Sequence, residues 1–90
     1  MAAALTLTKH DDGSATVATG KGRFKFSDVE FDDLVHAVPL NTTALYRLLI
    51  DTLLTEDNRR QELRKIIEAD GNPDATLTAL QDEVLKFVEE

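Results

Sequence analysis

The sequence of 90 residues contains no cysteine. This absence excludes disulfides and thiolate metal sites, so the packing of a hydrophobic core has to stabilise the fold by itself. A chain of this length buries roughly 60–65% of its unfolded surface, which is too little to divide between two cores. We therefore predict a single domain over residues 1–90, and nothing in the composition indicates an oxidising compartment.

Long apolar runs are also missing. The longest, LLIDTLL at 48–54, contains Asp51 and falls far short of the roughly 20 residues that span a bilayer. The chain starts without a basic leader, and its first apolar residues alternate with threonine, which argues against a signal peptide. We expect a cytoplasmic protein that does not contact membranes.

Side chains that carry catalysis or bind metals are scarce. The chain has two histidines, His10 and His36. Asp32 and His36 would lie on one helical face, but they offer two ligands, whereas a metal site needs about three or four. No G-x-S-x-G, P-loop or dinucleotide-binding glycine pattern occurs. The sequence therefore predicts a non-enzymatic protein with no cofactor and no metal.

The net charge of −7 is unevenly distributed. Residues 1–26 carry four basic and two acidic side chains, which gives +2, whereas residues 27–90 carry fifteen acidic and six basic ones, which gives −9. The acidic part should repel phosphate backbones and attract basic protein surfaces. Nucleic acid is therefore disfavoured as a partner, and another protein is favoured.

The segment 1–26 has the period-two hydrophobicity of β-strands. Leucine alternates with threonine near the start, and phenylalanine alternates with basic residues near the end. Turn signals at Asp12-Gly13 and Gly20-Lys21-Gly22 separate the runs, since glycine supplies the positive φ that tight turns require. We predict a three-stranded antiparallel meander, whose inward-facing residues are Leu5, Leu7, Val17, Phe24 and Phe26.

At Ser27 the hydrophobic period becomes helical, and residues 27–90 form the helical part of the domain. Ser27 and Glu30 have the spacing of a capping box, in which each side chain satisfies a backbone N–H of the other residue. Pro39 requires this first helix to end at about Val38.

Further helices follow. Asn41 and Thr55 are placed to cap a second and a third helix. No glycine or proline interrupts 42–69, so one continuous helix over that range is the alternative. Asn72-Pro73 opens a last amphipathic helix over about 73–89. The predicted fold is therefore α+β, with a three-stranded meander followed by three to four helices.

The second helix is apolar around most of its circumference, which allows two interpretations. In one, the helix is the buried centre of a helical layer packed on the sheet. In the other, one of its edges stays exposed and binds a partner protein, or a second copy of the chain in a homodimer. The residues of this candidate edge are Tyr46, Ile50, Leu53 and Leu54.

A second candidate surface is acidic and lies on the first helix. Glu30, Asp32 and Asp33 could mimic phosphate charge and block the nucleic-acid site of another protein, or they could only keep a small domain soluble. A third candidate, RNA binding by the basic segment KGRFKF at 21–26, needs exposed aromatic residues for stacking. We expect both phenylalanines of that segment to face inward, which disfavours RNA.

The order of elements resembles the small tail assembly chaperones of tailed bacteriophages. The segment LTLTKHDDGSATVATGKGRFKF is similar to their threonine- and glycine-rich hairpin, and LYRLLIDTLLTEDNRRQELRKII at 45–67 is similar to their leucine-rich helix followed by a capped, charged helix. The resemblance implies a non-enzymatic protein that binds an aggregation-prone tail component until assembly, and it transfers no binding residue. The acidic C-terminal part departs from it and favours the alternative of a small phage-encoded inhibitor, such as an anti-CRISPR protein.

Overall fold

The computed structural model describes residues 5–20, 22–69 and 71–88. In this part of the chain, three strands precede four α-helices, and a π-helical segment extends the second helix. The elements in chain order are β1 Leu5–Lys9, β2 Ala15–Thr19, β3 Gly22–Phe26, α1 Asp28–Ala37, α2 Thr42–Arg47, the π-helical segment Leu48–Leu53, α3 Asp57–Glu68 and α4 Pro73–Val88. The predicted α+β fold of a meander followed by helices is confirmed.

The sheet is an antiparallel meander in the order β1-β2-β3, so that β1 and β3 are its outer strands. Leu7 pairs with Val17, and Val17 pairs with Phe24. These three residues and Phe26 are buried, as the alternating pattern predicts. Leu5 is only half-buried, because it lies at the end of an outer strand.

The turn between β1 and β2 is packed on the start of α1. Gly13 has a φ of +93°, and a Cβ added there would lie 3.1 Å from the Cβ of Asp28. Asp12 Oδ1 accepts hydrogen bonds from the backbone N–H of Ser14 at 2.9 Å and from its hydroxyl at 2.6 Å. The predicted turn at Asp12-Gly13 is confirmed, and Lys21 of the second predicted turn lies outside the described residues.

The predicted capping box opens α1. The hydroxyl of Ser27 accepts a hydrogen bond from the backbone N–H of Glu30 at 3.2 Å, and the Glu30 carboxylate accepts one from the backbone N–H of Ser27 at 2.9 Å. The helix ends at Ala37 with Val38 as its C-cap, which agrees with the stop predicted from Pro39.

The range 42–69 forms two helices. Asn41 caps α2 as predicted, because its side chain accepts a hydrogen bond from the backbone N–H of Ala44 at 2.7 Å. The predicted cap at Thr55 is wrong. The N-cap of α3 is Glu56, one residue later, and its side chain forms no cap hydrogen bond. The alternative of one continuous helix is excluded.

The chain leaves the helical path at Leu54, whose backbone is extended with φ −95° and ψ 120°. The guanidinium Nε of Arg60 donates a hydrogen bond of 2.8 Å to the carbonyl of Leu54. This bond links the bend to α3, and the side chain of Leu54 is fully buried.

The predicted exposed edge of the second helix is wrong for two of its four residues. Leu53 is 9% exposed and Leu54 is 0% exposed, whereas Tyr46 and Ile50 are half-buried against the core. The prediction assumed α-helical spacing throughout. In a π-helix each hydrogen bond spans five residues instead of four, so the residues shift around the helix axis, and Leu54 already lies beyond the helix.

The core lies between the inner face of the sheet and the helices, and each helical element contributes to it. The second helix with its π-helical extension contributes Leu45, Leu49 and Leu53 to this core, but the element that packs against the sheet and against α1, α2 and α3 is α4, so the interpretation of the second helix as the centre of the layer is wrong. The largest fully buried side chains are Phe26, Leu34, Leu45, Leu49, Leu54, Leu63, Ile67, Val17 and Val84.

Side chains from α4 contact two distant parts of the backbone. Gln81 Nε2 donates to the carbonyl of Leu40 at 2.6 Å, and its Oε1 accepts from the backbone N–H of the same residue at 2.6 Å. Glu83 has a pKa below its ordinary value, chiefly because Lys86 donates a hydrogen bond to it, with a smaller contribution from the backbone of Leu7 on β1. The last helix is therefore anchored both to the linker before α2 and to the sheet.

Candidate protein-binding groove

The acidic residues singled out on the first helix separate into a paired and an exposed group. The side chain of Glu30 is 14% exposed and bonds to the guanidinium of Arg59, whereas the side chain of Asp32 is 70% exposed. Asp33 is also exposed. Glu30 is therefore a structural residue in this fold, and only Asp32 and Asp33 of the predicted group present their charge to solvent.

Arg59 connects α3 to α1 and to the sheet. Its Nη1 and Nη2 donate to the carboxylate of Glu30, and Nη2 also donates to the carbonyl of Lys25 at 2.6 Å. The guanidinium lies 5.0 Å from the centroid of the Phe24 ring, within the range of a cation–π contact. Burial raises the pKa of Glu30, but the hydrogen bonds from Arg59 and Ser27 outweigh it and hold the pKa below its ordinary value.

A concave surface beside α1 brings apolar and acidic side chains together. We call it the α1 groove. It has a volume of about 430 Å³ and runs between α1, the turn after β1 and the end of α4. Its lining residues are Lys9, Asp12, Gly13, Asp28, Val29, Phe31, Asp32, Val35 and Phe87.

The floor of the α1 groove is apolar. Phe31 and Phe87 pack edge to face, with ring centroids 5.6 Å apart and an interplanar angle of 82°. Phe31 is buried, whereas Phe87 and Val35 are half-buried and so offer part of their surface to the groove. At one end of the groove Val29 is 65% exposed.

Sequence reasoning did not single out Val29. It follows the capping residue of α1 by two positions and lies on the same side of the helix as Asp32, Asp33 and His36, which are three, four and seven residues away. An apolar, β-branched side chain on a face that is otherwise charged is the signal that could have identified it. The prediction of partner residues favoured instead the helix with the largest apolar content.

The rim of the α1 groove is acidic. It carries Asp12 from the hairpin turn together with Asp28 and Asp32 from α1. Hydrogen bonds from the side chain and then the backbone of Ser14 lower the pKa of Asp12 below its ordinary value. Of the described residues that line the groove, Lys9 alone is basic.

Both histidine side chains lie within hydrogen-bond distance of residues close in the sequence. His36 Nδ1 lies 2.7 Å from the carbonyl oxygen of Asp32 and 3.6 Å from the Asp32 carboxylate, and this carbonyl and then this charge raise the pKa of His36. His10 Nε2 lies 2.7 Å from the hydroxyl of Thr16 on β2. Within 5–20, 22–69 and 71–88, no group of three or more acidic or histidine side chains could hold a metal ion.

The basic strand β3 does not offer a platform for bases. Phe24 and Phe26 are 3% and 0% exposed and pack edge to face with ring centroids 5.0 Å apart. RNA binding by stacking on these rings, the third candidate, is therefore contradicted by their burial, as the inward orientation predicted.

Tyr46 lines a second, separate groove of about 370 Å³ between α2 and α4. Arg47 lies there opposite Glu68 and Asp74, and Leu77 contributes to the lining. Two acidic residues and one basic residue line this groove, so its excess of negative charge is smaller than that of the α1 groove. Ile50 does not line it, and the predicted edge therefore does not form one continuous surface.

Comparison with known proteins adds no further constraint. No family model, curated protein or solved structure matches the chain. The resemblance to phage tail assembly chaperones stays a prediction from the sequence. In the part of the chain that the structure describes, no helix has both the length and the apolar character that crossing a bilayer demands.

Proposed function

We propose that this chain is a non-enzymatic binding domain that holds a segment of another protein in the α1 groove, with one partner bound per chain. The observation that carries the proposal is the exposure of Val29, 65%, at the end of a concave surface where Val35 and Phe87 are also partly accessible. Scattered apolar residues are normal on protein surfaces, but neighbouring ones in a concave surface are typical of binding sites.

The free energy available from covering this surface is useful for binding. Fully burying a valine side chain contributes about 1.5–3 kcal/mol, so covering the exposed part of Val29 contributes about 1 kcal/mol or more. The half-buried Phe87 and Val35 extend the apolar area. Such a patch supports a reversible complex in which a few central residues dominate the affinity.

Two kinds of partner agree with this mode of action. A tail assembly chaperone, which the sequence resembles, would use the groove to hold an apolar side chain of an aggregation-prone protein. A small acidic inhibitor would use the aspartates of α1 to occupy a basic site on its target, and the exposure of Asp32 and Asp33 favours this second candidate. Both act by stoichiometric binding, and so both are versions of the same proposal.

The test starts with affinity capture from the native host, followed by measurement of the dissociation constant and stoichiometry with the purified partner. We expect Val29→Asp to weaken the complex about tenfold or more, since it removes an apolar contact and introduces a carboxylate that has to lose its hydration when the partner covers it. The new carboxylate would lie in the first turn of α1, where the helix dipole favours it, so the variant should remain folded.

The matched control is Val88→Asp, because Val88 is also exposed, at 43%, and does not line the α1 groove. We expect this variant to bind as the original chain does. Equal affinity of Val29→Asp and the original chain for every captured partner would contradict the proposal, and so would turnover of a substrate by the purified protein.

A further inference from the structure

The dimensions of the α1 groove limit what it can hold. Its α1 wall runs from Asp28 to Val35, seven residues along a helix that rises about 1.5 Å per residue, which gives a length of roughly 10 Å. An extended chain advances about 3.3 Å per residue. The groove therefore accommodates about three residues of an extended segment.

The apolar part of the groove fits one anchoring side chain. Val29, Val35 and Phe87 are its accessible apolar residues, while Phe31 beneath them is only 3% exposed. Three partly covered side chains make too small a surface for a long apolar segment. One apolar residue of the partner can fill it, while its two neighbours along the chain reach the rim.

The rim selects the charge of those neighbours. Asp12 stands on the hairpin side, and Asp28 and Asp32 stand one helical turn apart on the α1 side. A segment lying in the groove would thus have carboxylates on both sides, and Lys9 offsets only one of the three charges. The net charge of −7 adds long-range attraction for a basic segment and repulsion for an acidic one.

On these grounds, and resting on the proposed function of the groove, we infer that its occupant is an extended, basic protein segment in which one apolar residue is flanked by lysine or arginine. The groove around Tyr46 makes a weaker selection of the same sign, because its lining carries two acidic residues and one basic residue, against three and one in the α1 groove. The acidic rim thus determines which segments bind, and the apolar floor supplies the anchor.

The experiment uses the full chain and synthetic peptides of about seven residues. The first peptide has a central leucine between two lysines, the second replaces both lysines by glutamate, and the third replaces the leucine by alanine. Binding is followed by NMR chemical-shift changes at the amides of Val29, Val35 and Phe87. We expect the first peptide to bind about tenfold more tightly than the second, and the third to bind more weakly than the first.

Charge reversal on the protein tests the role of the rim. Asp28→Lys combined with Asp32→Lys should reverse the preference, so that the glutamate peptide binds more tightly. The matched control, Asp74→Lys with Asp82→Lys, changes the net charge by the same amount on exposed residues of α4 and should keep the original preference. If the double lysine variant of α1 does not fold, Asp28→Asn with Asp32→Asn should reduce the preference in the same way.

Three outcomes would overturn the inference. These are equal affinity for the lysine and glutamate peptides, no chemical-shift change at the groove with any peptide, and binding unchanged at about 0.5 M salt, where exposed charges are strongly screened. The proposed function would survive any of these results if a captured partner still required Val29. It would fail separately if no partner distinguished Val29→Asp from Val88→Asp.

Discussion

The first and second helices differ in burial in a way that their composition does not indicate. The first helix spans Asp28–Ala37, and the second spans Thr42–Arg47 with a π-helical extension over Leu48–Leu53. The more apolar stretch provides core residues such as Leu45 and Leu49. The more charged helix carries Val29, which is 65% exposed. In a domain this small, a helix that is apolar on most sides is needed for the core. The most exposed large apolar residue of the described chain therefore lies on the charged helix and not on the apolar one.

The largest effect should come from Leu54, the buried residue that directly follows the π-helical segment. Leu54 is 0% exposed, so Leu54→Ala should lower the free energy of unfolding by about 2–5 kcal/mol, because it removes buried methyl groups and leaves a cavity. Denaturant unfolding followed by circular dichroism measures this value. A loss below about 1 kcal/mol would mean that Leu54 is not part of the core and would revive it as a surface residue.

The next largest effect on stability should come from Arg59, which binds Glu30. This acid of α1 is therefore not exposed as Asp32 and Asp33 are. Arg59→Ala should lower the free energy of unfolding by about 1.5–3 kcal/mol near neutral pH, since it removes charged hydrogen bonds to Glu30 and one to the carbonyl of Lys25. Glu30 has a folded pKa below its ordinary 4.5. Its contribution to stability is therefore full above that value and is lost as the pH falls through the lower, folded pKa.

Unfolding measured at about pH 7 and about pH 3 checks this sign, because the stability deficit of Arg59→Ala should be smaller at the acidic pH. Part of it should persist, since the contacts with Lys25 and Phe24 do not depend on Glu30. The same deficit at both values of pH would show that the Glu30 carboxylate does not contribute to the pair.

A smaller effect is expected where the hairpin meets α1. Gly13→Ala should cost about 1–2 kcal/mol, because φ is positive there and the added Cβ would come within 3.1 Å of Asp28. It should also displace one wall of the α1 groove and weaken partner binding. Gly20→Ala is the control, since a Cβ at Gly20 meets nothing within 4 Å. Comparable losses in the two variants would contradict the close packing of the hairpin turn on α1.

The smallest effect on stability should come from Val29, the exposed apolar residue of the first helix. Val29→Ala should change the free energy of unfolding by no more than about 0.5 kcal/mol, as is usual for surface positions, because alanine has the higher helix propensity and little packing is lost. Thermal and denaturant unfolding measure it. Destabilisation by more than about 1 kcal/mol would place Val29 in the core and remove the basis of the proposed function.

Local rules predicted most of the fold. The strand alternation, the glycine turn, the Ser27 capping box and the Asn41 cap each depend on residues close in the sequence, and all appear in the structure. The start of α3 was not predictable in this way, because it depends on the bend at Leu54 and on the long side chain of Arg60.

The candidate site was less predictable than the fold. The α1 groove joins the hairpin turn at Asp12, the first helix at Val29 and the last helix at Phe87, which are far apart in the sequence. Only Asp32 of the predicted partner residues lines it. The pairing of Glu30 with Arg59 and the burial of Leu53 also depend on tertiary contacts, and no periodicity in the sequence reports those.

The two outer strands of the sheet are each packed against a helix. Arg59 of α3 donates to the carbonyl of Lys25 on β3, and α4 packs against β1. An unprotected sheet edge can serve as a template for the strands of other molecules, which leads to domain swapping and fibrils. Helices packed against both outer strands oppose such pairing at the edges of this sheet.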